Sequence, residues 1–335
     1  MPRYIVRRFG HLLLVVAALS VLLFAWLRSL PGGPVSALLG DRATAANRAA
    51  LEAAFGLDQP IAVQYLRFLR RAVTGDFGVS TGVQPGEAAL SILVARLPGT
   101  VELAAAAMLL AVAAAVPLGY LTARRRGGWL DNVGVVGSLV GVAVPVFFLA
   151  FLLKFVFAVQ LGWLPTSGRQ SADIDATRVT GFFVLDGLLT REWDAAGDAA
   201  LHLVLPALAL SSIPFAVIFR ITRAAVLDVL DEDYVRTAYA KGLTAAVIRR
   251  RHVLRNALLP VVTTIGLQTG ALLSGAVLTE KVFAYPGIGQ ALAVGFARRD
   301  YAVLQMVIIA AAITYVLVNL AVDLSYALID PRLRT

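Results

Sequence analysis

The chain has no cysteine, three histidines among 335 residues, and only 15% charged residues. The first absence excludes disulfides and thiolate chemistry without fixing a compartment. His11, His202 and His252 lie far apart, with no metal-ligand or carboxylate-paired spacing. Packing or an interfacial position competes with a ligand role for each of them. No GxxxxGK[ST] loop is present, because Lys241 precedes Gly242 and no second glycine stands in register. No serine sits in a GxSxG elbow. These gaps argue against an enzyme and against ATP binding by this chain. The charged fraction is well below the usual quarter of a soluble domain.

What is present is apolar sequence: 59% hydrophobic residues, with a mean hydropathy of +0.78. Runs near 20 residues argue membrane helices, and no alternating ten-residue strand pattern argues for a barrel. The expected class is an all-α integral membrane protein with six spans, at about 9–30, 99–122, 133–160, 202–221, 258–279 and 303–328. The net charge of +9 follows the spans rather than a nucleic-acid patch. Arg3, Arg7 and Arg8 precede the first span, and Arg124, Arg125 and Arg126 sit between the second and third. Asp173, Asp175, Asp186, Glu192, Asp194 and Asp198 crowd the link after the third. Both termini are therefore expected in the cytoplasm. The N-terminal run continues into LPGGP without a cleavage site and is read as a retained span.

A large external loop follows the first span. Leu51, Ala54 and Phe55, then Ile61, Tyr65, Phe68 and Leu69, are spaced for short helices broken at Gly56 and Pro60. Two domains are expected: 1–98, the first span with this loop, and 99–335, a five-span core. Membrane-embedded acids, which a proton-coupled carrier needs, are scarce. Glu102 and Thr100 are read as first-turn charge and cap of the second span. Lys154 is expected to snorkel outward, and Asp323 to make a structural contact near Asn319.

The segment from Tyr234 to Pro260, YVRTAYAKGLTAAVIRRRHVLRNALLP, holds six cations and no acid. One helix ending at Gly242 and a second capped by Thr244 make a rigid corner within about 228–258. A basic topology device on anionic lipid competes with a surface that docks in a partner's groove. Span five carries Thr263, Thr264, Gln268, Thr269 and Ser274, which suit either helix packing or a polar pathway lining. AYPGIG, with Pro286 and Gly287, marks an external turn.

RTAYAKG followed by RRRHVLRNALLP resembles the cytoplasmic coupling motif of ABC-importer permeases. That motif runs E-A-A, three residues, glycine, nine residues, then I-x-L-P. Ala238, Gly242 and Leu254 match it. Arg236, Thr237, His252 and Arg255 depart from it, in the manner of the dipeptide and oligopeptide branch, first-permease (B) type. YIVRR, LRSLPGGP, FGLDQP, GDFGVS, LPGTVELA, LGWLPTSG, EKVFAYPGIG and NLAVDLSYALIDPR extend the resemblance along nearly the whole chain.

The resemblance implies a type I importer-like permease with N-in and C-in topology, in a bacterial inner membrane. Its implied partners are a second permease, two ATPases holding ATP and magnesium, an extracytoplasmic binding protein and the lipid bilayer. The implied cargo is peptide, with glutathione or a nickel chelate as alternatives within the same class. It assigns coupling to Arg236, Thr237, Ala238, Lys241, Gly242, Leu243, Thr244, His252, Leu254, Arg255 and Asn256. Thr264, Gln268, Thr269 and Ser274 are expected to line the path, and Pro286 and Gly287 to meet the binding protein.

Overall fold

A computed structural model describes residues 2–29, 44 and 58–329. Leu51, Ala54 and Phe55 lie outside the described residues, as do the side chains of His11, Ser274 and Asp323. The described chain is helical, with one isolated antiparallel bridge between Val79 and Ala88 and no strand.

In order come α1 (Pro2–Ser29), α2 (Ile61–Thr74), α3 (Ala89–Arg124), α4 (Trp129–Ala143) and α5 (Val146–Leu153), which continues as a π-type turn, Lys154–Gln160. Then follow α6 (Phe183–Thr190), α7 (Trp193–Leu230), α8 (Asp233–Ala240), the single turn α9 (Ala245–Val247), a π-type stretch Ile248–Leu254, α10 (Arg255–Val282), α11 (Ile288–Ala297) and α12 (Tyr301–Ile329). Among the described residues three helices are long and apolar enough to cross a membrane, or five if each of two bent pairs counts as one span.

One of those pairs departs from the sequence expectation of a continuous third span. Trp129–Ala143 and Val146–Gln160 meet at 103°. Pro145 is the cause. Its ring pushes Val144 into extended backbone, φ −78° and ψ 121°, so α4 stops and a new helix starts at Val146.

Two compact units form. The first comprises 1–98 and 286–317. In it Phe77, Ala89, Ile92 and Leu93 pack with Ile288, Ala291, Val303, Met306 and Val307. Asp300 organises its loop. One carboxylate oxygen accepts from Ser80 Oγ at 2.6 Å and from the Gly82 and Val83 amides at 2.9 Å.

The second unit, 99–285 and 318–335, is built on close helix approach. Leu103, Ala107, Ala111 and Ala115 recur every four residues on α3, and all are fully buried. Small side chains let backbones meet, and dispersion then holds helices together in lipid. Gly119 shows the limit, since a Cβ there would lie 2.9 Å from Phe219 O and from Thr222 Cβ.

Three polar residues are placed differently from the sequence expectation. Because α3 starts at Ala89, neither Thr100 nor Glu102 is in a first turn. Thr100 Oγ1 instead donates to Glu280 Oε1 at 2.6 Å. Glu102 pairs with buried Arg169 at 2.6 Å and accepts from the Val184 amide at 2.9 Å. Lys154 turns inward, donating to Val282 O at 2.9 Å with its ammonium 5.9 Å from the Phe283 ring centre. Arg169 and Arg178 clamp Phe183, their guanidinium carbons 3.7 and 3.4 Å from its centroid.

Candidate functional site: the basic helix pair

α7 ends at Leu230, so the first helix of the corner is shorter than the sequence suggests and starts afresh at Asp233. Glu232 occupies the N-cap without a side-chain hydrogen bond, and Asp233 places negative charge on the first turn. At the other end the chain closes in a Schellman figure. Leu243 N–H donates to Ala238 O at 3.3 Å and Gly242 N–H to Tyr239 O at 3.0 Å. Gly242 adopts φ +73°, which L side chains resist, and a Cβ there would face open space.

Thr244 stands at the N-cap of the second helix but makes no side-chain cap bond. Its carbonyl does that work, accepting from the Val247 and Ile248 amides. The second helix then runs through the π-type stretch into α10 without a break, so the corner is the root of the apolar helix α10.

Packing divides the candidate residues into two groups. Val235 and Ala238 are buried against Ile248, Val253 and Ala257, with Val226 of α7 and Ala123 of α3. Ala238 is thus the hinge-pin of the corner, and a larger side chain there would test packing. His252 and Asn256 form a brace. Asn256 Nδ2 donates to Tyr234 OH at 2.9 Å and to His252 O at 3.0 Å, and the Tyr234 and His252 rings lie 6.5 Å apart. Leu254 is half-buried.

Arg236, Thr237, Lys241, Gly242, Leu243, Thr244 and Arg255 are exposed. Arg236 makes a solvated pair with Asp233 at 3.5 Å, an interaction of little energetic weight. Two further exposed residues escaped the sequence reading. Tyr239 is 56% and Val247 37% exposed, flanking Leu243 at 39%. The available signal was their chemistry: three apolar side chains about the corner, inside a basic segment that needs none for topology.

The remaining candidates are spread out. Thr264 and Thr269 on α10 donate to Pro260 O and Ile265 O of their own helix at 2.9 and 2.8 Å. Gln268 is half-buried beside them. Pro286 is half-buried and Gly287 buried, at the turn that leads into α11.

Known proteins decide the class. Residues 115–335 match the model of the binding-protein-dependent transport system inner membrane component, and residues 1–104 match the N-terminal model of the same membrane components. The chain belongs to that family. The permease is 43% identical to the di/tripeptide transport system permease protein of Pseudomonas aeruginosa, covering all of this chain and 99% of that one. It is 40% identical to the dipeptide transport system permease protein of Escherichia coli K12, covering all of this chain and 99% of the other. The dipeptide permease of Alkalihalophilus pseudofirmus is 39% identical, with both chains covered in full. The permease is a membrane transport subunit of the type I importer class, not an enzyme.

Proposed function

We propose that this permease forms half of the translocation path for dipeptides or short oligopeptides in an ATP-driven importer. Full-length similarity to three peptide permeases supports the cargo. Six spans with both termini in the cytoplasm of a bacterial inner membrane fit the placement of the cations. A second permease, two ATPases carrying ATP and magnesium, and an external binding protein complete the machine. Thr264, Gln268 and Thr269 line the path. Both threonine hydroxyls donate to their own helix, which leaves the Gln268 amide, among the described residues, to donate to a peptide carbonyl.

The observation that carries the coupling role is the corner at Gly242. Arg236, Thr237, Lys241, Leu243 and Thr244 surround it on the outside, while Ala238 and Val235 hold it from within. A short rigid corner with exposed apolar side chains and a basic rim fits a groove on an ATPase. His252, Leu254, Arg255 and Asn256 serve it by bracing and flanking. Alternating access follows if the groove holds this helix differently in two states, since a ligand shifts an equilibrium only by its differential affinity.

Tyr239→Asp and Leu243→Asp, introduced into the tagged permease expressed with its partner subunits, test this. Loss of ATPase co-purification and of binding-protein-stimulated hydrolysis, with the melting temperature of the permease retained, is expected. Retained coupling in both variants would reduce the segment to a topology device. Uptake that survives ATP depletion and collapses with a protonophore would make the chain a secondary carrier.

A further inference from the structure

α2 has three faces, and among the described residues only one of them packs against the rest of the fold. Gln64, Phe68 and Ala72, four residues apart, turn inward. Phe68 packs with Leu23 of α1 and Tyr301 at the start of α12, and Tyr65 meets Ser20 at 2.8 Å and the Phe24 ring at 5.3 Å. A second face presents Leu66, 63% exposed, and Val73, 88% exposed, two turns apart. The third carries Arg67, Arg70 and Arg71, all without an ion pair among the described residues.

A water-exposed helix gains nothing from Leu66 and Val73 pointing outward. A helix lying flat at the edge of a bilayer does, because its apolar face enters the acyl region while its cations meet phosphates. The surroundings mark that level. α2 packs on the last third of α1, through Ser20, Leu23 and Phe24, and that stretch of α1 itself exposes Leu19, Leu22 and Trp26. Trp26 stacks on exposed Phe296 of α11 at 6.3 Å, an aromatic pair of the kind that sits at headgroup depth. Arg28 lies over Phe24 at 4.6 Å, its stem laid back along the apolar end of α1.

We infer that α2 is an interfacial helix that holds an anionic phospholipid headgroup. Leu66 and Val73 sit among the acyl chains and Arg67, Arg70 and Arg71 around the lipid phosphate. The complementarity is of charge and of layer: three guanidiniums on one side and bare aliphatic surface on the next. This also accounts for cations on the loop that positive-inside orientation places outside.

The natural lack of cysteine makes the test direct. Full-length permease carrying Leu66→Cys or Val73→Cys is nitroxide-labelled and reconstituted into phosphatidylcholine vesicles with and without phosphatidylglycerol. Gln84→Cys, on an exposed loop, is the aqueous control. Both α2 labels should collide more with oxygen than with a water-soluble nickel chelate, the reverse of the control. Labels as chelate-accessible as Gln84→Cys, or shielded from both quenchers by protein, would overturn the inference. Separately, phosphatidylglycerol retained by the detergent-purified chain should fall by about fivefold for each of Arg67→Gln, Arg70→Gln and Arg71→Gln. Unchanged retention, or displacement of the lipid by inorganic phosphate alone, would refute the headgroup site.

Discussion

Asp300→Asn should loosen the loop at 78–88 without disturbing the apolar packing beneath it. The carboxylate is fully buried and accepts from Ser80, Gly82 and Val83 on one oxygen, and from the Val303 amide at 3.3 Å on the other. Asparagine keeps one acceptor oxygen but turns three charge-assisted bonds into neutral ones. At about 1 kcal/mol lost per bond, the local cost is roughly 3 kcal/mol. Its amide also faces the Val303 N–H donor with another donor. Asp300→Ala leaves all four donors without their acceptor and should cost more.

Hydrogen exchange is the assay, because local opening need not follow global unfolding of a membrane protein. The Gly82 and Val83 amides should exchange about a hundredfold faster in Asp300→Asn, as roughly 3 kcal/mol implies. Amides of Ile92 and Leu93 should be unaffected. Equal protection of Gly82 and Val83 in both proteins would refute the reasoning. The pH dependence has a definite sign. Burial pushes the Asp300 carboxyl up, yet its bonds from Ser80, Val83, Gly82 and Val303 outweigh that and hold it below 3.8. Its contribution is therefore complete above the unfolded value, about 3.9, and is lost as pH falls through the folded one. Loop protection should be flat from neutral to mildly acidic pH and fail only in strong acid.

Two other corners and one ion pair give further tests. α10 and α11 end in the same hydrogen-bonded figure as α8, but with Ala284 at φ +45° and Arg299 at φ +55° in the left-handed position. Ala284→Gly and Arg299→Gly should each relieve about 1 kcal/mol and raise the melting temperature in detergent, whereas Gly242→Ala should lower it. Glu102→Gln leaves the buried Arg169 charge without its partner and should cost about 3–5 kcal/mol. Glu102→Gln with Arg169→Met should recover much of that loss in the same thermal assay, and failure to recover would mean the pair has a further role.

The apolar runs and the glycine at 242 were legible in the sequence because each acts locally, through hydropathy or through one dihedral angle. Gly242 needs no distant neighbour to explain it. The break at Val144–Pro145 was legible in principle, since proline constrains the residue before it, but hydropathy alone runs straight across it. Glu102 shows what was not legible. Its partners Arg169 and Val184 lie 67 and 82 residues away, and no local pattern links them. Ala238 illustrates the converse: a motif names the position, and only packing reveals that it faces inward while Tyr239 and Val247 face out.

The break at Pro145 has a consequence for how length can vary along this chain. Each residue added to a straight helix rotates everything beyond it by about 100°. An insertion within α3, continuous over 36 residues, would swing the row of Leu103, Ala107, Ala111 and Ala115 away from the faces it meets. An insertion at Val144–Pro145 falls where no helical hydrogen bond carries the phase across. α4 and α5 can then each keep their own register. Duplication, deletion and loop grafting should thus be tolerated at that corner and refused within α3.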